Sequence, residues 1–180
     1  SRVSFDFNGD GFRERTGWIS PQDGFLVRDL NTNNQIDSLA ELIGTATDDA
    51  YTVLAGLDSN RDGRITGADD VWQTLRIWKD ADSDARTDDG ELLTLADLGV
   101  TEFSLGGQAV QRLENGNYIH SQGTAIINGQ QQGTQAVFFG TSRSKSLFTP
   151  PPGFVPHPDT AKLPNMSGGG GTPTLTYSMT

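Results

Sequence analysis

Four stretches of this sequence place oxygen-bearing side chains at alternate positions, beginning at Asp6, Asp29, Asp58 and Asp80. That is the arrangement a hard divalent cation needs. Calcium takes six to eight oxygen ligands, and a twelve-residue loop supplies them from positions 1, 3, 5, 7, 9 and 12. Position 7 gives its backbone carbonyl, position 6 turns sharply and position 8 is an apolar anchor. The third stretch, DSNRDGRITGAD, fills the pattern with Asp58, Asn60 and Asp62, the turn Gly63 and the Arg64 carbonyl. Ile65 is its anchor, Thr66 would hold a water, and Asp69 closes it. The fourth, DADSDARTDDGE, offers Asp80, Asp82, Asp84, the Arg86 carbonyl, Asp88 and the closing Glu91. Its turn residue is Ala85, at a cost of order 1 kcal/mol for positive φ, and Thr87 replaces the apolar anchor. Five carboxylates in so short a loop repel one another unless a cation lies among them.

The second stretch, DLNTNNQIDSLAE, offers Asp29, Asn31 and Asn33, with Asn34 at the turn and the Gln35 carbonyl after it. Ile36 is the anchor, Asp37 sits at position 9, and the closing Glu41 comes one residue late. The first, DFNGDGFRERTG, opens with Asp6, Asn8, Asp10 and Gly11 and presents the Phe12 carbonyl. Its twelfth position is Gly17, so Asp23 in the following SPQDG turn is the candidate to close it from outside. For each stretch the plain alternative is an acidic or Asn-rich turn with no metal. About three to four calcium ions are expected.

The elements that would position these loops follow from periodicity. Behind Asp48 and Asp49, AYTVLAGL puts Ala50, Val53, Leu54 and Leu57 on one helical face. DDVWQTLRIW does the same with Val71, Leu75 and Trp78, and LLTLADLGV predicts a short helix capped by Thr94. From about Gln108 the pattern alternates. Asn115-Gly116 and Asn128-Gly129 are type I′ turn signals, separating three strands of a β-meander. The fold class predicted is therefore α+β: EF-hand-like calcium loops with short helices, then a small antiparallel sheet. Residues 1–146 form the calcium-binding module, with loops and helices over 1–105 and the meander over 106–146. Residues 147–180 are a tail, proline-rich at 149–158, glycine-rich at 167–171, with a possible final strand, TPTLTYSMT.

Charge supports the same division. The 180 residues carry a net charge of −10, and 20 of the 23 acids lie in residues 1–97. Such a field repels nucleic acid and anionic lipid. No apolar run reaches the ~18–20 residues needed to span a bilayer. With no cysteine, thiolate metal sites and disulfides are excluded, and bound metal is the available stabiliser for an extracellular chain. Starting at Ser1 without a signal-like segment, the chain reads as a fragment or a processed product.

The order of these motifs resembles the calcium-dependent self-processing module of FrpC-like RTX proteins. The resemblance is carried in sequence by FDFNGDGF, TGWISPQDGFLVRDLNTNNQIDSLAELIG, LAGLDSNRDGRIT, WQTLRIWKDADSD and GELLTLADLGV. It continues through ENGNYIHSQGTAIINGQQQGTQAVFF, covering roughly residues 4–140. It implies a secreted module folded by calcium. It also implies, for processing members, cleavage of an Asp-Pro bond at the module's own N-terminal edge and joining of the new aspartyl end to a lysine amine. This sequence contains no Asp-Pro pair. The resemblance therefore carries over calcium ligands but no catalytic residue.

His120 and His157 are isolated, no G-x-S-x-G elbow is present, and Trp18, Trp72 and Trp78 read as core. The function expected is a calcium-dependent structural module of a secreted bacterial surface, adhesin or matrix protein, not an enzyme. Its C-terminal strand would add to an open sheet edge to give a homo-oligomer or fibre. The alternatives are the remnant of an autocatalytic Asp-Pro module, or a dockerin-like partner-binding module suggested by the 22-residue spacing of the last two loops.

Overall fold

Both Asn-Gly pairs turn as their chemistry dictates. Asn115 and Gly116 have φ of 51° and 82°, Asn128 and Gly129 of 53° and 73°, the type I′ geometry that matches strand twist. A computed structural model describes residues 3–7, 11–45 and 48–148, with side chains described as far as 142. The chain runs through β1 (Ser4–Phe5), β2 (Phe12–Thr16), β3 (Phe25–Arg28), α1 (Ala50–Ala55), β4 (Arg64–Thr66) and β5 (Leu75–Trp78). It continues through β6 (Leu92–Thr94), β7 (Val100–Ser104), β8 (Gln108–Glu114), β9 (Asn117–Ile127), β10 (Gln130–Phe138) and β11 (Thr141–Phe148).

Three antiparallel sheets result among the described residues. The largest has the order β10-β9-β7-β4, with β8 sharing an edge of β9; the others are β1-β2-β11 and β3-β5-β6. The α+β expectation is overturned: the chain is mostly β, and α1, six residues long, is the one α-helix among the described residues. Among the described residues no EF-hand helix pair flanks any loop. The helix expected over DDVWQTLRIW is a 3-10 turn at Trp72–Thr74 followed by β5. Val71, Leu75 and Trp78 are buried as their spacing required, but the burial belongs to a turn and the two ends of a four-residue strand. β5 is the central strand of its sheet, and Ile77 pairs with Leu26 on one side and Leu93 on the other. Pairing on both edges outweighs helix propensity. LLTLADLGV also forms no helix. Thr94 and Asp97 still exchange the bonds of a cap, Asp97 N–H to Thr94 Oγ1 and Thr94 N–H to Asp97 Oδ2, over a single turn.

Strand β5 joins two apolar clusters. Leu75 packs with Leu54, Ile65, Val71, Leu95, Val100, Phe103 and Ala125. Trp78 packs with Val3, Phe5, Val27, Ile36 and Ala85, ringed by the half-buried Phe7, Trp18, Phe25, Leu42 and Leu92. Ile65 thus anchors the third loop in one cluster, while Ile36 and Ala85 tie the second and fourth loops to the other. Strand β11 runs to Phe148 against β2, two residues beyond the expected end of the module. The rest of the tail, with its proline-rich, glycine-rich and final-strand segments, lies outside the described residues.

Helix α1 docks on the meander through two side chains. Tyr51 lies against Gly107 and Gly123, where an added Cβ would sit 2.8 Å from its ring, and its hydroxyl meets Thr134 Oγ1 at 2.6 Å. Asp49 caps the helix at Thr52 N–H and accepts bonds from His120 Nδ1 and Ser121 Oγ, both at 2.8 Å. Burial pulls the Asp49 carboxyl upward, but the Thr52, Ser121 and His120 bonds outweigh it and hold its pKa at about 2. Asp49→Ala is therefore expected to cost about 2 kcal/mol, from a lost cap and two lost bonds. Because the folded pKa lies below the unfolded value of 3.8, the stabilisation is present above pH 4 and is lost as the pH falls toward 2. Urea titrations of native and Asp49→Ala proteins should converge over that window. A constant difference down to pH 2 contradicts the assignment.

Candidate metal centre

The second, third and fourth loops are built on one hydrogen-bond skeleton. The position-6 N–H donates to the position-1 carboxylate: Asn34 to Asp29 at 2.8 Å, Gly63 to Asp58 at 2.9 Å, Ala85 to Asp80 at 2.9 Å. Position 5 donates to positions 1 and 3, through Asn33, Asp62 and Asp84. Position 7 donates to position 5, from Gln35 to Asn33, Arg64 to Asp62 and Arg86 to Asp84. These bonds fold the loop around the side-chain oxygens at positions 1, 3 and 5 and turn them toward one another.

Closure is also shared. In each loop the final acid accepts the N–H groups of positions 2 and 9, clamping the two ends together. Asp69 takes Ser59 and Thr66 at 3.0 and 2.9 Å. Glu91 takes Ala81 and Asp88 at 2.7 and 3.1 Å. Glu41 takes Leu30 and Asp37 at 3.1 and 3.0 Å, although it stands one residue late. A 3-10 turn over Leu39–Glu41 absorbs the extra residue. All three closing acids are buried.

Two backbone positions, not one, are left-handed. Position 6 has φ of 58° at Asn34, 82° at Gly63 and 58° at Ala85. Position 4 is likewise left-handed, at 57° in Thr32, 61° in Arg61 and 62° in Ser83. Sequence reasoning missed the second, because no glycine or asparagine marks it. A non-glycine residue in this region carries strain of order 1 kcal/mol, which the converging bonds hold in place.

The donor set fits a hard cation. Single carboxylate oxygens of Asp80, Asp82 and Asp84 all lie within 4.8 Å of one another. In the third loop the closing acid is already satisfied: the Thr66 N–H, with those of Asn60 and Ser59, pulls the Asp69 carboxyl below its ordinary value against burial. The fourth loop differs. Burial pushes Asp80 upward, with Glu91 adding to it, against bonds from Ala85, Trp18 and Asp84. Asp88 is raised as well, first by desolvation and then by Asp84 and Asp82. Desolvation is the first cause of both shifts and the neighbouring carboxylates add to it, and a cation bound among them would favour the charged forms.

Residues outside the motif complete the fourth loop. Trp18 Nε1 donates to Asp80 Oδ2 at 2.6 Å, and the Trp18 ring packs on Phe5, Phe25 and Trp78. The Arg13 guanidinium reaches the carbonyls of Asp84 and Ala85. Arg13 is the eighth position of the first loop, whose Gly11 N–H bonds Asp6 Oδ2 at 2.8 Å as position 6 does elsewhere. Asn8 and Asp10 lie outside the described residues. Phe12 is buried in β2, and Asp23 is exposed in a turn closed by its own N–H on the Ser20 carbonyl. Single-sequence patterning held no signal for Trp18 or Arg13, because both act across long sequence separations.

The SPM domain family model matches residues 1–140 of this chain. The curated protein "Iron-regulated protein FrpA" of Neisseria meningitidis serogroup C is 44% identical over 129 residues. That stretch is 67% of this chain and 12% of the relative's own length.

Proposed function

This chain belongs to the SPM domain family, and on that premise we propose that it is a calcium-folded structural module of a secreted, RTX-associated protein. The observation that carries the reading is the skeleton common to three loops, each closed by a buried acid. The carboxylates of Asp80, Asp82 and Asp84, with single oxygens within 4.8 Å of one another, support a cation in the fourth loop. Calcium suits it better than magnesium, since the oxygens come from a flexible mixture of carboxylates, amides and carbonyls rather than from a tight octahedron. The family is one of self-processing modules. With no Asp-Pro pair in the sequence, the proposal assigns this chain the scaffold of that family and no cleavage of any bond within residues 1–180.

Calorimetric titration of calcium into chelator-stripped protein tests the reading. Uptake of about three to four ions is expected, in the ~10⁻⁴–10⁻³ M range sufficient outside cells or tighter. Affinity rises with ligand charge, so Asp80→Ala should lose more of the binding heat than Asp29→Ala. Absence of saturable calcium uptake would end the proposal, and equal losses would remove the ranking.

A further inference from the structure

The second and fourth loops meet at equivalent positions. Ile36 N–H, at position 8 of the second loop, donates to Thr87 Oγ1, at position 8 of the fourth, across 2.9 Å in the buried interior. The neighbouring Gln35 side chain donates Nε2 to the Thr87 carbonyl at 3.0 Å. Each bridging residue is flanked by ligand positions: Gln35 and Asp37 on one side, Arg86 and Asp88 on the other. The closing acids hold the same segments, Glu41 at Asp37 N–H and Glu91 at Asp88 N–H. The third loop makes no such bridge among the described residues. Its corresponding segment, Arg64–Thr66, pairs instead with Glu102, Phe103 and Ser104 of β7.

We infer that the second and fourth loops are a coupled pair, in which calcium at one raises the affinity of the other through Thr87, while the third loop stands outside the pair. The inference rests on the calcium reading above. Its physical basis is that an ion at the fourth loop fixes the backbone from Arg86 to Asp88. Fixing it sets the Thr87 hydroxyl and carbonyl where Ile36 N–H and the Gln35 amide need them, so part of the ordering cost of the second loop is met in advance. A threonine at position 8 is what permits this. An apolar anchor there would pack equally well but give Ile36 N–H no side-chain acceptor. The departure of Thr87 from the loop pattern thus acquires a role.

Calcium titration of the ¹⁵N-labelled chain, following the position-6 amides of Asn34, Gly63 and Ala85, tests the pair. Calcium-driven folding links every site to every other, so the signature is the excess effect within the pair. Glu91→Gln should move the Asn34 midpoint to about tenfold higher calcium and move Gly63 by much less. Thr87→Val, which keeps the side-chain shape and removes the acceptor, should separate the Asn34 and Ala85 curves about fivefold, and Thr87→Ser should bring them together again. Equal displacement of Asn34 and Gly63 by Glu91→Gln, or a Thr87→Val chain whose Asn34 and Ala85 curves still coincide, overturns the coupling and leaves the calcium reading standing. No amide response up to about 10 mM calcium, well above the weakest functional sites, overturns both.

Discussion

Exhaustive chelation is expected to abolish the cooperative melting transition of this protein, and calcium, added back, to restore it. The magnitude follows from linkage. An ion present at a hundred times its dissociation constant stabilises the folded chain by about 2.7 kcal/mol per site. Three such sites contribute about 8 kcal/mol, against a net stability of ~5–15 kcal/mol for an ordinary domain. The loss is compounded by the charge left behind, since 20 acids face 9 bases in residues 1–97. The apolar reserve is small. Each of the two clusters depends on the loops themselves, Ile65 in one, Ile36 and Ala85 in the other. Near-ultraviolet circular dichroism reports Trp18 and Trp78 in the aromatic cluster beside the fourth loop, and far-ultraviolet spectra report the strands. A melting temperature and spectra unchanged by chelator would refute calcium-dependent folding.

The loops were legible because their chemistry is written in side-chain types at fixed spacing. Asp58, Asn60, Asp62, Gly63 and Ile65 announce the loop's turn and its apolar anchor with no knowledge of the rest of the chain. The Asn-Gly turns were legible for the same local reason. Of the helices expected around the loops, AYTVLAGL forms α1 behind Asp49, while DDVWQTLRIW and LLTLADLGV form none, because apolar spacing reports burial, not the element that achieves it. Val71, Leu75 and Trp78 are buried, yet Leu75 and Trp78 bound a strand held between β3, far upstream in sequence, and β6, on the other side of the fourth loop. Counting along the loop named Glu41 as the closing acid one residue late, but gave no sign of how it reaches the N–H groups of positions 2 and 9 that Glu91 reaches in its own loop. A 3-10 turn shortens the path, and turn geometry is set by the whole segment. The partners of the fourth loop, Trp18, Arg13, Gln35 and Ile36, stand some 50 to 70 residues upstream. Those contacts exist only once the sheets have formed.

Burial, rather than ligand chemistry, should decide which position-1 aspartate matters most. Asp58 and Asp80 have the same place in their loops, and each accepts three N–H donors: Arg61, Asp62 and Gly63 in one case, Asp84, Ala85 and Trp18 in the other. The donors to Asp58 lie on an exposed loop, so water replaces a lost carboxylate at little cost. Asp80 is 1% exposed and Ala85 3%, and its third donor is a tryptophan wedged among Phe5, Phe25 and Trp78. Removing the Asp80 carboxylate orphans donors that water reaches poorly and opens a hole beside that cluster. Asp80→Ala is therefore expected to cost about 4 kcal/mol in saturating calcium and Asp58→Ala about 1–2 kcal/mol, read from urea unfolding. The two variants also differ in a local signal. Trp18 emission should shift in Asp80→Ala, which strips the indole of its acceptor, and stay as it is in Asp58→Ala. Equal losses of stability with an unmoved Trp18 spectrum would mean that the two sites differ in sequence only, and that the aromatic cluster takes no part in holding the fourth loop.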